Sequence, residues 1–213
     1  MRPDMQTHTL LGIASAAALS ADGELPGWAL GCLAQAPWVV VRREGARAGC
    51  IPVGVRGLSR SERCAAWVQP ASVWVSVTPL QLAARRAWSA HPRGSALPPL
   101  TILDAVASIM SAAGLGARWG PAGSVGFELA SGYEAVRPGS DLDVIVQLPG
   151  VPTRAAARAL EMQLRQLPVR VDVLLEVPEG GLALSEYVTG RTPLLLRTAQ
   201  GPRLIARGHP LPA

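Results

Sequence analysis

Residues 141–177 constrain the fold more than any other stretch. Asp141 to Leu148 reads DLDVIVQL and Val169 to Val177 reads VRVDVLLEV, two runs rich in strand-forming residues. Between them Thr153 to Leu167 reads TRAAARALEMQLRQL, with Thr153 as an N-cap and Leu160, Leu164 and Leu167 on one stripe. The spacing predicts a strand, an amphipathic helix and a second strand. Side chains alternate along a strand, so Asp141 and Asp143 share one face. Asp172 lies among Val and Leu inside the second strand. A carboxylate in such surroundings is costly without a partner.

The flanking residues supply further elements. Thr101 and Asp104 form a weak capping box for a helix running to about Ala113, with Gly114 at its C-terminal cap. Leu115 to Trp119 is expected as a short strand, Gly120 to Ser124 as a turn, Val125 to Ala130 as a short helix and Tyr133 to Ser140 as a loop. A short helix near Leu184 to Val188 and a hairpin over Leu194 to Ala206, turning at Gln200-Gly201, complete this half.

In the first half, the apolar run Leu10 to Leu19 is expected as the opening helix of a soluble protein. It is too short to span a bilayer, and one Arg beside Asp4 makes a poor signal-peptide start. Trp38 to Arg43 and Val73 to Val77 read as strands; Ile51 to Val55 carries Pro52 and is expected only at a sheet edge. Thr78-Pro79 opens a helix toward Trp88. His91 to Pro99 (HPRGSALPP) reads as a linker that divides the chain into residues 1–95 and 96–213.

Composition removes several function classes. All 20 basic residues are arginine, and neither Lys nor Asn occurs. Lysine Schiff-base chemistry and a P-loop NTPase are excluded. The formal charge is +5, but the arginines are scattered. That suits a polyphosphate cofactor or an acidic protein better than DNA or RNA. Cys32, Cys50 and Cys64 are widely spaced, as are His8, His91 and His209, so no zinc site is expected and the thiols suit a reducing cytoplasm. The six Trp residues are expected in packing.

Three features of the second half belong together: Gly123-Ser124 before a helix, Asp141-x-Asp143 on a strand, and Asp172 on a later strand. Neighbouring carboxylates repel unless a cation neutralises them, and hard oxygen ligands suit Mg²⁺, with Mn²⁺ as a substitute. A Gly-Ser turn at a helix N-terminus offers backbone N–H groups to phosphate oxygens. Each feature is commonplace alone. Their order favours a triphosphate held by the turn and by metal, attacked in line with pyrophosphate leaving. Arg56, Arg60 and Arg63, clustered in VRGLSRSER, are candidate substrate contacts because Arg binds phosphate bidentately. Arg42 and Arg43 are weaker candidates, and Arg118 and Arg137 flank the acidic motifs. Glu128, one helical turn beyond Ser124, reads as a solvated helix residue.

At these residues a resemblance becomes definite. GS followed by SDLDV (Ser140 to Val144) and a later strand Asp resembles the nucleotidyltransferase superfamily of the DNA polymerase β type. The runs WGPAGSVGFELASG (Trp119 to Gly132), PGSDLDVIV (Pro138 to Val146) and RVDVLLEVPEGGLALSEY (Arg170 to Tyr187) are similar to the phosphoribosyl-dephospho-CoA transferases of malonate decarboxylase, also called holo-acyl-carrier-protein synthases. PWVVVRR, IPVGVRGLSRSER, VSVTPLQLA and LLLRTAQGPRLIA extend the similarity over nearly the whole chain.

The resemblance implies an α+β fold. A small N-terminal α/β domain for substrate or carrier binding would precede a DNA polymerase β-like catalytic domain with a mixed sheet flanked by helices. It implies transfer from 2′-(5″-triphosphoribosyl)-3′-dephospho-CoA to a serine of the apo acyl-carrier subunit of malonate decarboxylase, with release of pyrophosphate. Asp141, Asp143 and Asp172 become metal ligands and catalytic residues, with Asp172 also the base for the serine hydroxyl. Gly123 and Ser124 hold the β and γ phosphates. A cytoplasmic protein with no nucleic-acid or membrane partner is implied. The long gap from Ser124 to Asp141, filled by residues 133–139, counts against a minimal adenylyltransferase. Two alternatives stay open: a nucleotidyltransferase acting on another protein or a small molecule, and a non-catalytic carrier-binding module.

Overall fold

Two six-stranded sheets carry the chain, one in each half. The computed structural model describes residues 6–45, 47–57, 59, 61–190 and 193–206. In the first half, β1 (Leu10–Ile13), β2 (Leu19–Ser20), α1 (Gly27–Gln35), β3 (Trp38–Val41), β4 (Ile51–Arg56), β5 (Arg63–Val68) and β6 (Val73–Val77) follow one another. The strands form an antiparallel sheet in the order β2-β5-β4-β3-β1-β6. Alternation gives it two apolar faces. Leu11, Val39, Val41, Val53 and Val55 pack with Ala29 and Leu33 of α1. Leu10, Trp38 and Val77 pack on the other side, against residues of the second half.

The second half contains α2 (Pro79–Ala84), α3 (Pro98–Thr101), α4 (Leu103–Ala112), β7 (Trp119–Pro121), α5 (Gly123–Ser131), β8 (Leu142–Gln147), α6 (Arg154–Leu164), β9 (Val171–Val177), β10 (Gly180–Ala183), α7 (Leu184–Thr189), β11 (Leu194–Thr198) and β12 (Gly201–Ile205). Its sheet runs β12-β11-β10-β9-β8-β7. β8 and β9 are parallel and the other pairs antiparallel, so the sheet is mixed. A parallel pair needs a crossover, and α6 supplies it. Thr153 caps α6 by accepting the Ala156 N–H at 3.2 Å. Leu142, Val144, Val146, Val173 and Leu175 point from β8 and β9 into one core with α4 and α6. Each buried Leu or Val contributes about 1.5–3 kcal/mol relative to exposure. The architecture is the expected α+β, with a mixed sheet flanked by helices.

Several local expectations are corrected. Leu10 to Leu19 is not a helix: Leu10–Ile13 is a fully buried strand paired on both sides, by β3 and β6. Periodicity cannot separate a short apolar strand from a buried helix; the neighbours decide. Ile51 to Val55 lies inside the sheet, between β3 and β5. Pro52 is tolerated because it faces Arg42, just beyond β3, and only its carbonyl is used there, accepting the Arg42 N–H at 2.9 Å. Thr101 ends α3 and caps nothing; its hydroxyl donates to the Pro98 carbonyl at 2.9 Å. β10 was hidden in EGGLALSEY, where its glycines carry little strand propensity.

Residues 79–97 pack on the second sheet. Thr78 and Gln81 form a capping box that starts α2. A Cβ on Gly120 of β7 would sit 1.9 Å from the Pro79 carbonyl oxygen, so α2 crosses β7 at backbone distance. Trp88 and Leu97 belong to the second core, and residues 92–96 form turns that lead into α3, with Leu97 and Pro99 buried. Among the described residues, no helix is long and apolar enough to cross a membrane.

Candidate active site

The acidic residues lie on the face of β8 and β9 opposite their apolar core. Leu142, Val144 and Val146 point into the core, so Asp141 (just before β8), Asp143 and Gln147 point the other way. On β9, Val173 and Leu175 are buried, which sends Asp172 and Glu176 to the acidic face. The parallel register sets Asp143 directly beside Asp172 and Gln147 beside Glu176. The βαβ crossover thus brings together carboxylates 29 positions apart in sequence.

The start of α5 closes on the same point. Gly123 has φ 56°, and a Cβ there would fall 1.9 Å from Asp143 Oδ2. Only glycine provides both the backbone conformation and the clearance. The Asp143 carbonyl accepts the Ala122 N–H at 2.8 Å, which fixes the turn to the strand. No side chain caps the α5 N-terminus. Its first N–H groups are therefore available to an anion.

Burial pushes the Asp143 carboxyl above its ordinary value, and the charges of Asp141 and Asp172 add to this; Arg56 and His8 oppose it. Arg170 Nε donates to Asp172 Oδ1 at 3.0 Å. The hard-oxygen donor set and the mutual repulsion fit a divalent cation. Among the described residues, no three His, Cys, Asp or Glu side chains already stand together as a metal cage. An open cleft of about 350 Å³ lies beside Asp172, with Leu164, Leu167, Val173 and Leu184 among its lining residues.

The first half meets this acidic face with two arginines and a histidine. Arg43 forms an ion pair with Glu176, and His8 Nε2 lies 3.1 Å from Glu176 Oε1. Burial alone would raise the Glu176 carboxyl, but His8 and Arg43 outweigh it and hold the group below its ordinary value. Gln147 Nε2 donates to Gln6 Oε1 at 2.7 Å. Arg56 shares a β4 face with Pro52 and Gly54, opposite the residues that pack on α1, and its charge reaches Asp143. Arg63 is its direct partner across β4 and β5, and both are exposed. Like charges directly opposite on a sheet are destabilising, so this end of the hairpin favours an anion.

The structure thus joins Gly123, Ser124, Asp141, Asp143, Asp172 and Arg56 around one edge, with Arg63 beside Arg56. Arg60 lies outside the described residues. Arg118 is exposed, and Arg137 Nη1 donates back to the Glu134 carbonyl at 3.2 Å. Glu128 corrects an expectation: it is 1% exposed, not solvated, and pairs with Arg93. His8 and Arg43 also escaped sequence reasoning as cross-half contacts. An acid inside the apolar helix GSVGFELAS was a usable signal for Glu128; His8 offered none.

Comparison with known proteins identifies the family. A family model described as the phosphoribosyl-dephospho-CoA transferase MdcG C-terminal domain matches residues 78–208, and the corresponding N-terminal domain matches residues 6–79. The chain belongs to the phosphoribosyl-dephospho-CoA transferase family. Curated proteins of that name include one from Pseudomonas putida, 38% identical over 204 residues, covering 94% of this chain and 93% of the relative. One from Azotobacter vinelandii is 38% identical, covering 94% and 92%, and one from Pseudomonas aeruginosa is 36% identical, covering 84% and 83%. No solved structure matches the chain. The two family models meet at residues 78–79, where β6 passes into α2. Transferase activity is what the names of these relatives support.

Proposed function

We propose that this chain moves the phosphoribosyl-dephospho-CoA group from 2′-(5″-triphosphoribosyl)-3′-dephospho-CoA to a serine of the apo acyl-carrier subunit of malonate decarboxylase. The observation that carries the reading is the close approach of the α5 start to a strand-borne carboxylate group, with Asp143 beside Asp172 in register. Membership in the family supplies the CoA-derived substrate class.

In this mechanism the serine oxygen attacks the α-phosphorus of the triphosphate. A new P–O bond forms while the bond from that phosphorus to the bridging oxygen of the β-phosphate breaks. Pyrophosphate carries away the electron pair. The serine proton passes to Asp172, which stands at the strand edge beside Asp143. Asp141, Asp143 and Asp172 would hold Mg²⁺, or Mn²⁺ in its place, once Asp172 turns from Arg170. That ion supplies charge neutralisation on the phosphates. The uncapped amides around Gly123 and Ser124 orient the β and γ phosphates. Arg56 and Arg63 bind the polyphosphate from the first half, with Arg60 as a third contact. A net charge of +5 suits this polyanion and an acidic carrier. We place the reaction in the cytoplasm, with neither nucleic acid nor membrane involved.

The test combines the protein with the precursor, Mg²⁺ and the apo carrier subunit, and weighs the carrier by mass spectrometry. A gain equal to one phosphoribosyl-dephospho-CoA group is expected. An unmodified carrier, or labelling from ATP instead, would overturn the reading.

A further inference from the structure

Glu128, in the second turn of α5, is a fully buried acid that the proposed chemistry does not use. Its two carboxylate oxygens accept Arg93 Nη1 at 3.2 and 3.3 Å. Its Oε2 also accepts the Val136 N–H at 2.7 Å, and Arg93 Nη2 donates to the Val136 carbonyl at 2.9 Å. Both backbone groups of Val136 are thus gripped, one by each member of the pair. Arg93 Nη1 lies 3.3 Å from Glu134 Oε2, and His91 Nε2 lies 3.7 Å from Glu128 Oε1.

The place of this pair in the chain gives it meaning. α5 begins at Gly123 and Ser124, and residues 133–140 run from its end into Asp141 without regular structure. The pair ties the helix that starts the site to the loop that delivers its first carboxylate. Replacing a buried ion pair by apolar residues of similar volume is often neutral or stabilising. Stability alone therefore does not call for one here. A fixed geometry between loop and helix does.

We infer that Arg93 and Glu128 are positioning residues, holding Val136 so that Asp141 and Asp143 meet the Gly123–Ser124 end of α5. The inference rests on the function proposed above. The test compares the full-length wild type with Glu128→Gln and with the apolar double variant Arg93→Met/Glu128→Met. Each is assayed below its melting temperature, and folding is checked by circular dichroism. Misplacement of reacting groups by about 1 Å can cost on the order of a hundredfold in rate. We therefore expect kcat to fall by about ten- to a hundredfold in both variants, with KM for the precursor little changed. The double variant should recover the wild-type melting temperature but not kcat; a merely structural pair would recover both. Hydrogen exchange supplies a readout that needs no turnover: the amides of residues 133–141 should exchange faster in the double variant. Wild-type kcat in the double variant, or unchanged exchange over 133–141, overturns the inference. An inactive wild type instead overturns the proposed function, and exchange still decides the positioning role.

Discussion

Where the two halves meet, the first half presents basic side chains and the second presents acidic ones. His8, Arg43 and Arg56 come from residues around β1, β3 and β4. Glu176, Asp143 and Asp172 come from β8 and β9. Away from this edge the contact is mostly apolar, with Leu10, Trp38 and Val77 packed near Phe127 and Tyr133 of the second half, whose Tyr133 hydroxyl donates to Gln35 Oε1 at 2.8 Å. The Arg43–Glu176 pair and the Arg56–Asp143 approach differ in one decisive way. Arg43 and Glu176 are largely buried and satisfied by each other, whereas Arg56 is exposed and faces Arg63. The first contact holds the halves together. The second leaves its positive charge open to solvent. Charge at an interface therefore has to be read by what remains unpaired, not by its amount.

Removing the central acid should break this division most severely. Asp143→Ala is expected to lower transfer by at least about a hundredfold, the scale of losing a main electrostatic contact in an active site. The fold should persist, because burial and Asp141 already disfavour the Asp143 charge. Circular dichroism beside the carrier assay checks both halves of that statement. Gly123→Ala comes next. The added methyl would strike Asp143 Oδ2 at a left-handed backbone position. Activity should be largely lost, with a stability cost of more than about 1 kcal/mol by denaturant unfolding.

The structural pair should respond in stability. Arg43→Met leaves Glu176 buried with His8 alone, a loss of up to about 3–5 kcal/mol for an unpaired buried charge. The pair also sets a pH dependence. Glu176 is held below its ordinary value of 4.5, so its contribution is fully present above pH 4.5. It is lost as pH falls through the lower folded value. Glu176→Gln should therefore flatten the acid limb of a melting-temperature profile. The smallest effect is expected from Arg56→Gln. Losing one charge-assisted phosphate contact, about 1.5 kcal/mol, should raise KM for the precursor about tenfold and leave the melting temperature in place. A drop in stability of the Arg43 size would erase the distinction drawn between the two arginines.

Much of the acidic edge was legible in the sequence. The strand, helix and strand of residues 141–177 showed in their periodicity, and alternation alone put Asp141 and Asp143 together. The register that sets Asp143 beside Asp172 was not legible, because it depends on how α6 returns the chain. Leu10–Ile13 misled because an apolar tetrapeptide takes its structure from its neighbours. His91 to Pro99 misled in the opposite way: Pro and Gly suggested a linker, yet Arg93 within it reaches a buried acid. Pairings such as Arg43 with Glu176 span 133 positions, and no local pattern encodes them.

In the proposed function both halves act on one triphosphate, with a carrier hydroxyl displacing pyrophosphate. Counting pyrophosphate against modified carrier in the same Mg²⁺-containing reaction tests it most directly. One pyrophosphate for each serine modified is predicted, with none released when the apo carrier is omitted. Carrier modification without pyrophosphate, or pyrophosphate release that ignores the carrier, would contradict it.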